Sequence, residues 1–178
     1  MTDDFFQRVA KDLPNFPMPV IKQWLEHAAG DGWPPRHDKF GEPLGRWRNV
    51  LAQRGVVFWR TVTWAPEARA LRLSELDYES ELTVRKIRRA FENGLPHAPD
   101  LPVAGASDRV RTFIGIVTKT GRLPVPPVLL RKRCGVLEAL DGFHRLAALF
   151  PSSQRRDEPT AAPHDFWVAS GGADPIDW

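Results

Sequence analysis

Three side chains in the stretch "LEALDGFHRLAALF", Leu137 to Phe150, carry groups that can do chemistry: Asp141, His144 and Arg145. They stand where an extended apolar run turns through Gly142 into an alanine-containing helix. A helix start exposes backbone amides and the positive end of the helix dipole, which favours an anion, most naturally a phosphate. Gly142 lets the backbone come close to a ligand because it has no side chain in the way. Arg145 can clamp two phosphate oxygens with its fork of donors. His144 can donate to an oxygen or move a proton near neutral pH. Asp141 repels phosphate, so its presence makes sense if it holds a magnesium ion or orients a substrate hydroxyl. A plainer reading has Asp141 cap the helix, His144 satisfy a backbone carbonyl and Arg145 pair with a surface acid. On spacing alone the plainer reading prevails, because a single short motif is weak.

The elements that must position the trio can be read from periodicity and punctuation. "VPPVLLRKR" predicts a strand, "CGV" a turn and "LEAL" a returning strand, together a hairpin that delivers the chain into the helix "FHRLAALF". "SELTVRKIRRAFENG" predicts a helix with Ser80 as N-cap and Leu82, Ile87 and Phe91 on or near one face. A further helix starts at Ser107-Asp108 and stops at Gly121. "VVFWRTVTW" and "ARALRLSEL" read as strands, the second with Leu71, Leu73 and Leu76 turned inward, and "HDFWVAS" as a last strand. "LPHAPDLPVAGAS" reads as a mobile loop and "GGADPIDW" as a frayed tail. Before all of these, Asp3 to Leu13, Val20 to Ala29 and "LGRWRNVLAQRG", with Gly55 as its stop, predict three helices. The expected organisation is a helical extension over 1–55, an α/β domain over 56–170 and a tail over 171–178.

Composition sets the outer limits. With 178 residues, 42% hydrophobic and 26% charged, the chain suits one soluble domain with a proper core and a small extension. No apolar run approaches the roughly 20 residues of a membrane span, and the start "MTDDFFQRVAKDL" is unlike a secretory signal, so the expected location is cytoplasmic. The single cysteine, Cys134, excludes an internal disulfide and a multi-cysteine zinc site. A net charge of +3 permits an anionic partner without demanding nucleic acid, since 25 basic residues meet 22 acidic ones. Of seven tryptophans, Trp24, Trp33, Trp47, Trp59 and Trp64 come early. They predict a core between extension and domain, with a base-stacking platform as the alternative.

Two stretches in order, "GRLPVPPVLL" from Gly121 to Leu130 and "LDGFHRLAAL" from Leu140 to Leu149, resemble the ParB/sulfiredoxin-like superfamily over roughly residues 60–168. The resemblance implies a compact α/β fold, a mixed sheet with flanking helices, that binds nucleotide phosphates. It implies a binding set of Gly121, Arg122, Pro127, Gly142, Phe143, His144 and Arg145, with ATP, ADP or CTP as ligand and Mg²⁺ at Asp141. Sulfiredoxins carry a cysteine before His-Arg where this chain has Phe143. Chromosome-partitioning members carry "GERR" here and a further DNA-binding domain, for which the residues after Leu149 leave no room. The side chains come nearest to the "DGHHR" form of the free serine kinase branch, with Phe143 in place of its first histidine. That branch implies Asp141 and an upstream glutamate, Glu81 or Glu79, acting on a substrate hydroxyl, with His144 beside them.

Three functional expectations follow. The first is a nucleotide-binding enzyme that transfers a phosphoryl group to a small hydroxylated molecule or hydrolyses a nucleotide. The second is a nucleic-acid-binding or nuclease module using "VRKIRRAF", "LLRKRCG" and "SSQRRD" as phosphate contacts. The third is a catalytically lapsed binding protein that meets a protein partner through its Trp-rich N-terminal region, as in a plasmid-, phage- or defence-associated complex.

Overall fold

In a computed structural model, which describes residues 2–101 and 105–171, four strands form one mixed sheet. The expected frayed tail beyond Gly171 and part of the expected mobile loop, 102–104, lie outside the described residues. β1 (Thr63–Arg69) pairs antiparallel with β4 (His164–Ser170), and β4 runs parallel to β2 (Val128–Arg131). β2 turns back antiparallel into β3 (Leu137–Asp141), the expected hairpin. The order across the sheet is β1-β4-β2-β3, with helices packed on it, so the chain has the α/β architecture expected.

Both faces of the sheet are buried, and the two-residue period of a strand decides which side chain goes where. Val128, Leu130 and Ala169 join one core, while Leu129, Phe166 and Val168 join the other. The second core is covered by α5 (Tyr78–Glu92), α6 (Ala106–Thr120) and α7 (Phe143–Leu149). The first is covered by the N-terminal residues: α1 (Thr2–Asp12), α2 (Met18–Trp24) continuing as a 3₁₀ turn through Asp31, α3 (Arg46–Val50) and α4 (Val56–Trp59). This segment supplies one layer of the fold.

Its tryptophans point inward. Trp24, Trp47 and Trp59 are at most 1% exposed and Trp33 6%. Trp24 meets Trp59 edge to face at 5.0 Å, and Trp33 meets Trp47 at 5.1 Å. Indole N–H groups of Trp33, Trp47 and Trp59 donate to Asp12, Gly32 O and Leu51 O. These rings are packing, as the first expectation had it, and they offer neither a stacking platform nor a docking surface.

Several local expectations are corrected. "VVFWRTVTW" does not form a strand from its start: Val56, Trp59 and Val62 are buried at a period of three while Val57 is 73% exposed, so a short helix precedes β1. The expected strand at "ARALRLSEL" is reduced to a 3₁₀ turn, Leu73–Glu75, though Leu71, Leu73 and Leu76 are buried as predicted. The third helix ends before Gly55, where Ala52 and Gln53 adopt left-handed backbone, and Gly55 precedes α4 instead. The N-cap of α5 is Asp77, whose carboxylate accepts from Ser80 N at 2.9 Å, while Ser80 Oγ accepts from Ala139 N of β3. Pro66 sits in edge strand β1 opposite Trp167, whose N–H goes to Pro127 O. The pair is therefore not hydrogen-bonded, and the missing proline N–H lies on the free edge, where nothing requires it. Among the described residues no helix is long and apolar enough to cross a membrane.

Candidate functional site

β3 ends at Asp141, Gly142 turns the backbone with φ of +95°, and α7 begins at Phe143. The turn faces a cleft of roughly 550 Å³ whose other walls come from α6, the loop before β2 and the N-terminal layer. Gly142 is required here for two reasons. Left-handed backbone disfavours any side chain, and a Cβ would lie 2.9 Å from Arg145 Nε and Nη2 and 3.0 Å from Pro127 Cβ. The space expected to admit a ligand is occupied by Arg145 itself, folded back across the turn.

From there Arg145 Nη2 donates to Asp141 Oδ2 at 2.5 Å and Nη1 to Val125 O at 3.4 Å. Two residues of the N-terminal layer complete the grip on Asp141. Gln23 Nε2 donates to Oδ2 at 3.3 Å and to Pro126 O at 2.7 Å, and His27 Nε2 stands 3.6 Å from Oδ1. Burial works against ionisation of Asp141, but the His27 contact and the Arg145 charge outweigh it and hold the carboxyl below its usual range. His27 is raised above the ordinary histidine value, first by its bond to Asp141 against some burial, with Glu26 adding and Arg145 opposing. His144 moves the other way, pushed down by burial and then by Arg109, which favours its neutral form. Its Nε2 is buried without a hydrogen-bond partner among the described residues.

The cleft thus gathers Arg109, Arg145 and a His27 biased towards its cation around one carboxylate. That balance suits an anion. Asp141 has both oxygens engaged, and among the described residues no three His, Cys, Asp or Glu side chains converge on a metal position. The residues do not build a resident magnesium site.

Of the residues expected to act together, Asp141, Gly142, Phe143, His144 and Arg145 line the cleft. Phe143 also lines a second, polar cleft of roughly 400 Å³, which Glu79 borders. Pro127 packs under Gly142 and accepts the N–H of Trp167. Gly121 is the left-handed cap of α6 and Arg122 is exposed beyond it; neither lines the cleft. Glu81 is held by Arg85 at 3.0 Å and Arg156 at 2.8 Å and does not line it either. Gln23, His27, Arg109 and Phe113 join the site without having been anticipated. Only Arg109 and Phe113 left a trace in the sequence, as a four-residue spacing on one helix face.

The basic runs are largely neutralised. Arg85 and Arg156 meet Glu81, Lys86 meets Asp100, Arg88 meets Glu92, Arg131 meets Glu67 and Lys132 meets Asp77. Compared with protein-family models, curated proteins and solved structures, the chain matches none, so the chemistry of the cleft rests on its geometry.

Proposed function

We propose that the protein binds a nucleotide through its phosphates in the cleft beside Asp141, as a ParB/sulfiredoxin-like protein, and transfers a phosphoryl group to a small hydroxylated molecule or to water. The observation that carries this reading is the surplus of positive charge: Arg109, Arg145 and His27 against Asp141 alone in a cleft of roughly 550 Å³. Such a volume lies within the usual range for small-molecule sites. Arg109, exposed and without an acidic partner among the described residues, is the cation most available to a phosphate.

The roles differ from those a free carboxylate would play. Asp141, with two donors on Oδ2 and the His27 contact at Oδ1, is held ionised and orients Arg145 and His27. His144, whose neutral form is favoured by burial, lines the cleft and is the group assigned to take a proton from an attacking hydroxyl, a role that needs its buried Nε2 to turn towards the ligand. Magnesium, where it takes part, enters with the nucleotide and neutralises its phosphate oxygens. The engaged state of Asp141 also favours a second reading, binding without turnover. The paired state of the basic runs counts against a nucleic-acid surface.

A thermal-shift series with ATP, ADP, CTP and GTP, with and without magnesium, tests the reading on the wild type and Arg109→Ala. A ligand at a hundred times its Kd stabilises the native state by about 2.7 kcal/mol. A selective shift that shrinks in the variant supports the site. No shift with any nucleotide removes the proposal, and a shift without phosphate release selects the second reading.

A further inference from the structure

Arg109 and Phe113 face the cleft from the same side of α6, four residues or about 6 Å apart along its axis. The Arg109 guanidinium is exposed and has no ion-pair or hydrogen-bond partner among the described residues. Phe113 belongs to neither core and makes no ring contact among the described residues. Val125, which also lines the cleft, is 39% exposed and likewise outside both cores.

A partly buried aromatic ring on a concave wall, one turn from a cation with no acidic partner among the described residues, offers an apolar face beside a positive charge. Burying Phe113 in a core would be favourable, and Arg109 would gain from an acidic neighbour. Both are accounted for by a ligand that is apolar and flat at one end and anionic at the other. Inorganic phosphate would use the cations and leave Phe113 bare; a sugar phosphate would offer Phe113 only the C–H face of its ring, whereas a base offers a flat π face. We infer that the ligand of this cleft is a nucleotide whose base lies against Phe113 and whose phosphate meets Arg109. Phe113 is the residue that separates nucleotides from other phosphates. The inference rests on the reading of the cleft as a phosphate site and adds the base to it.

Calorimetric titration of the full chain with ATP and with inorganic tripolyphosphate, at one ionic strength, separates the two claims. The wild type is expected to bind ATP on the order of tenfold more tightly than tripolyphosphate, the scale of one stacked base. Phe113→Ala should erase that difference by weakening ATP alone, and Phe113→Leu, which keeps the apolar volume, should erase part of it. Arg109→Gln should weaken both ligands. Equal wild-type affinities, or a Phe113→Ala loss shared by both ligands, overturn the base assignment and leave the phosphate site standing. Failure of both to bind the wild type overturns the phosphate reading and this inference with it.

Discussion

On one face of the sheet Trp24, Trp47 and Trp59 fill the core through ring contacts, while on the other Leu71, Val110, Leu146 and Val168, all fully buried, pack aliphatic carbon around Phe150 and Phe166, which make no ring contact among the described residues. The covering elements differ in the same sense. The aliphatic face lies under two helices of 15 residues each and the seven-residue α7, the aromatic face under helices of 7, 5 and 4 residues after α1. Helices that short cannot stand in water. A few large rings, each touching several neighbours, supply the cohesion that regular backbone does not. The candidate site lies on the seam: Gln23 and His27 come from the aromatic layer, Arg109 and Phe113 from the helical one, and Asp141 from the sheet between them.

The sharpest break is Trp59→Ala. Trp59 is fully buried and contacts Phe16, Trp24, Phe58 and Trp64, so denaturant unfolding should show a loss of about 4 kcal/mol. Leu146→Ala in the other core should cost about 3 kcal/mol. A reversed order would mean that the aromatic layer does not depend on a few rings.

The joint between layers comes next. Arg54, with its side chain 4% exposed, holds Glu138 of β3 through two bonds at 3.1 and 2.8 Å. Arg54→Met leaves Glu138 with a Lys132 contact at 3.6 Å, for an expected loss of about 3 kcal/mol. Adding Glu138→Leu should recover most of it. If the double variant is no better than the single, the pair is not what joins the layers.

Gly142→Ala acts at the seam itself. The new Cβ meets the Arg145 guanidinium and Pro127 while the backbone stays left-handed, a cost of about 2 kcal/mol. Its signature is a release of Asp141 from Arg145, read as a change in the His27 titration by NMR; an unchanged titration would show that Arg145 keeps its place.

The smallest effect is pH dependence. His164 is buried with an Nδ1 that has no partner among the described residues, and burial lowers its pKa, as it does for His144. The unfolded chain then binds more protons than the native one, so this stability is fully present above about pH 6.5 and lost as pH falls through the lowered values. His27 has the opposite sign: its contribution is present below about pH 6.5 and fades as pH rises through its raised value. Urea midpoints measured from pH 5 to 8 should fall at the acid end, less steeply in His164→Phe. The same steepness in that variant would assign the slope elsewhere.

Much of the fold was legible because its signals are local. The hairpin around Gly135, the stop at Gly121 and the entry to α7 through Gly142 all lie at left-handed glycines, which punctuate a sequence wherever they occur. The strand expected from Val56 failed for an equally local reason: a short apolar run fits period two and period three alike, and only its burial distinguishes them. At the site, the sequence placed Asp141, His144 and Arg145 together because they lie within a strand end and one helical turn.

What the sequence determined by itself is therefore the chain's local grammar: the turn at Gly142, the polar trio beside it and the wealth of aromatic carbon available for a core. Tertiary structure alone decided what those groups do. It turned the tryptophans inward as one layer of a three-layer fold, folded Arg145 onto Asp141, and brought His27 to a carboxylate 114 positions away. It also left Arg109 and Phe113 facing the same space. Such pairings depend on how two faces of a sheet are covered. No short-range pattern records them, because the partners share neither an element nor a period.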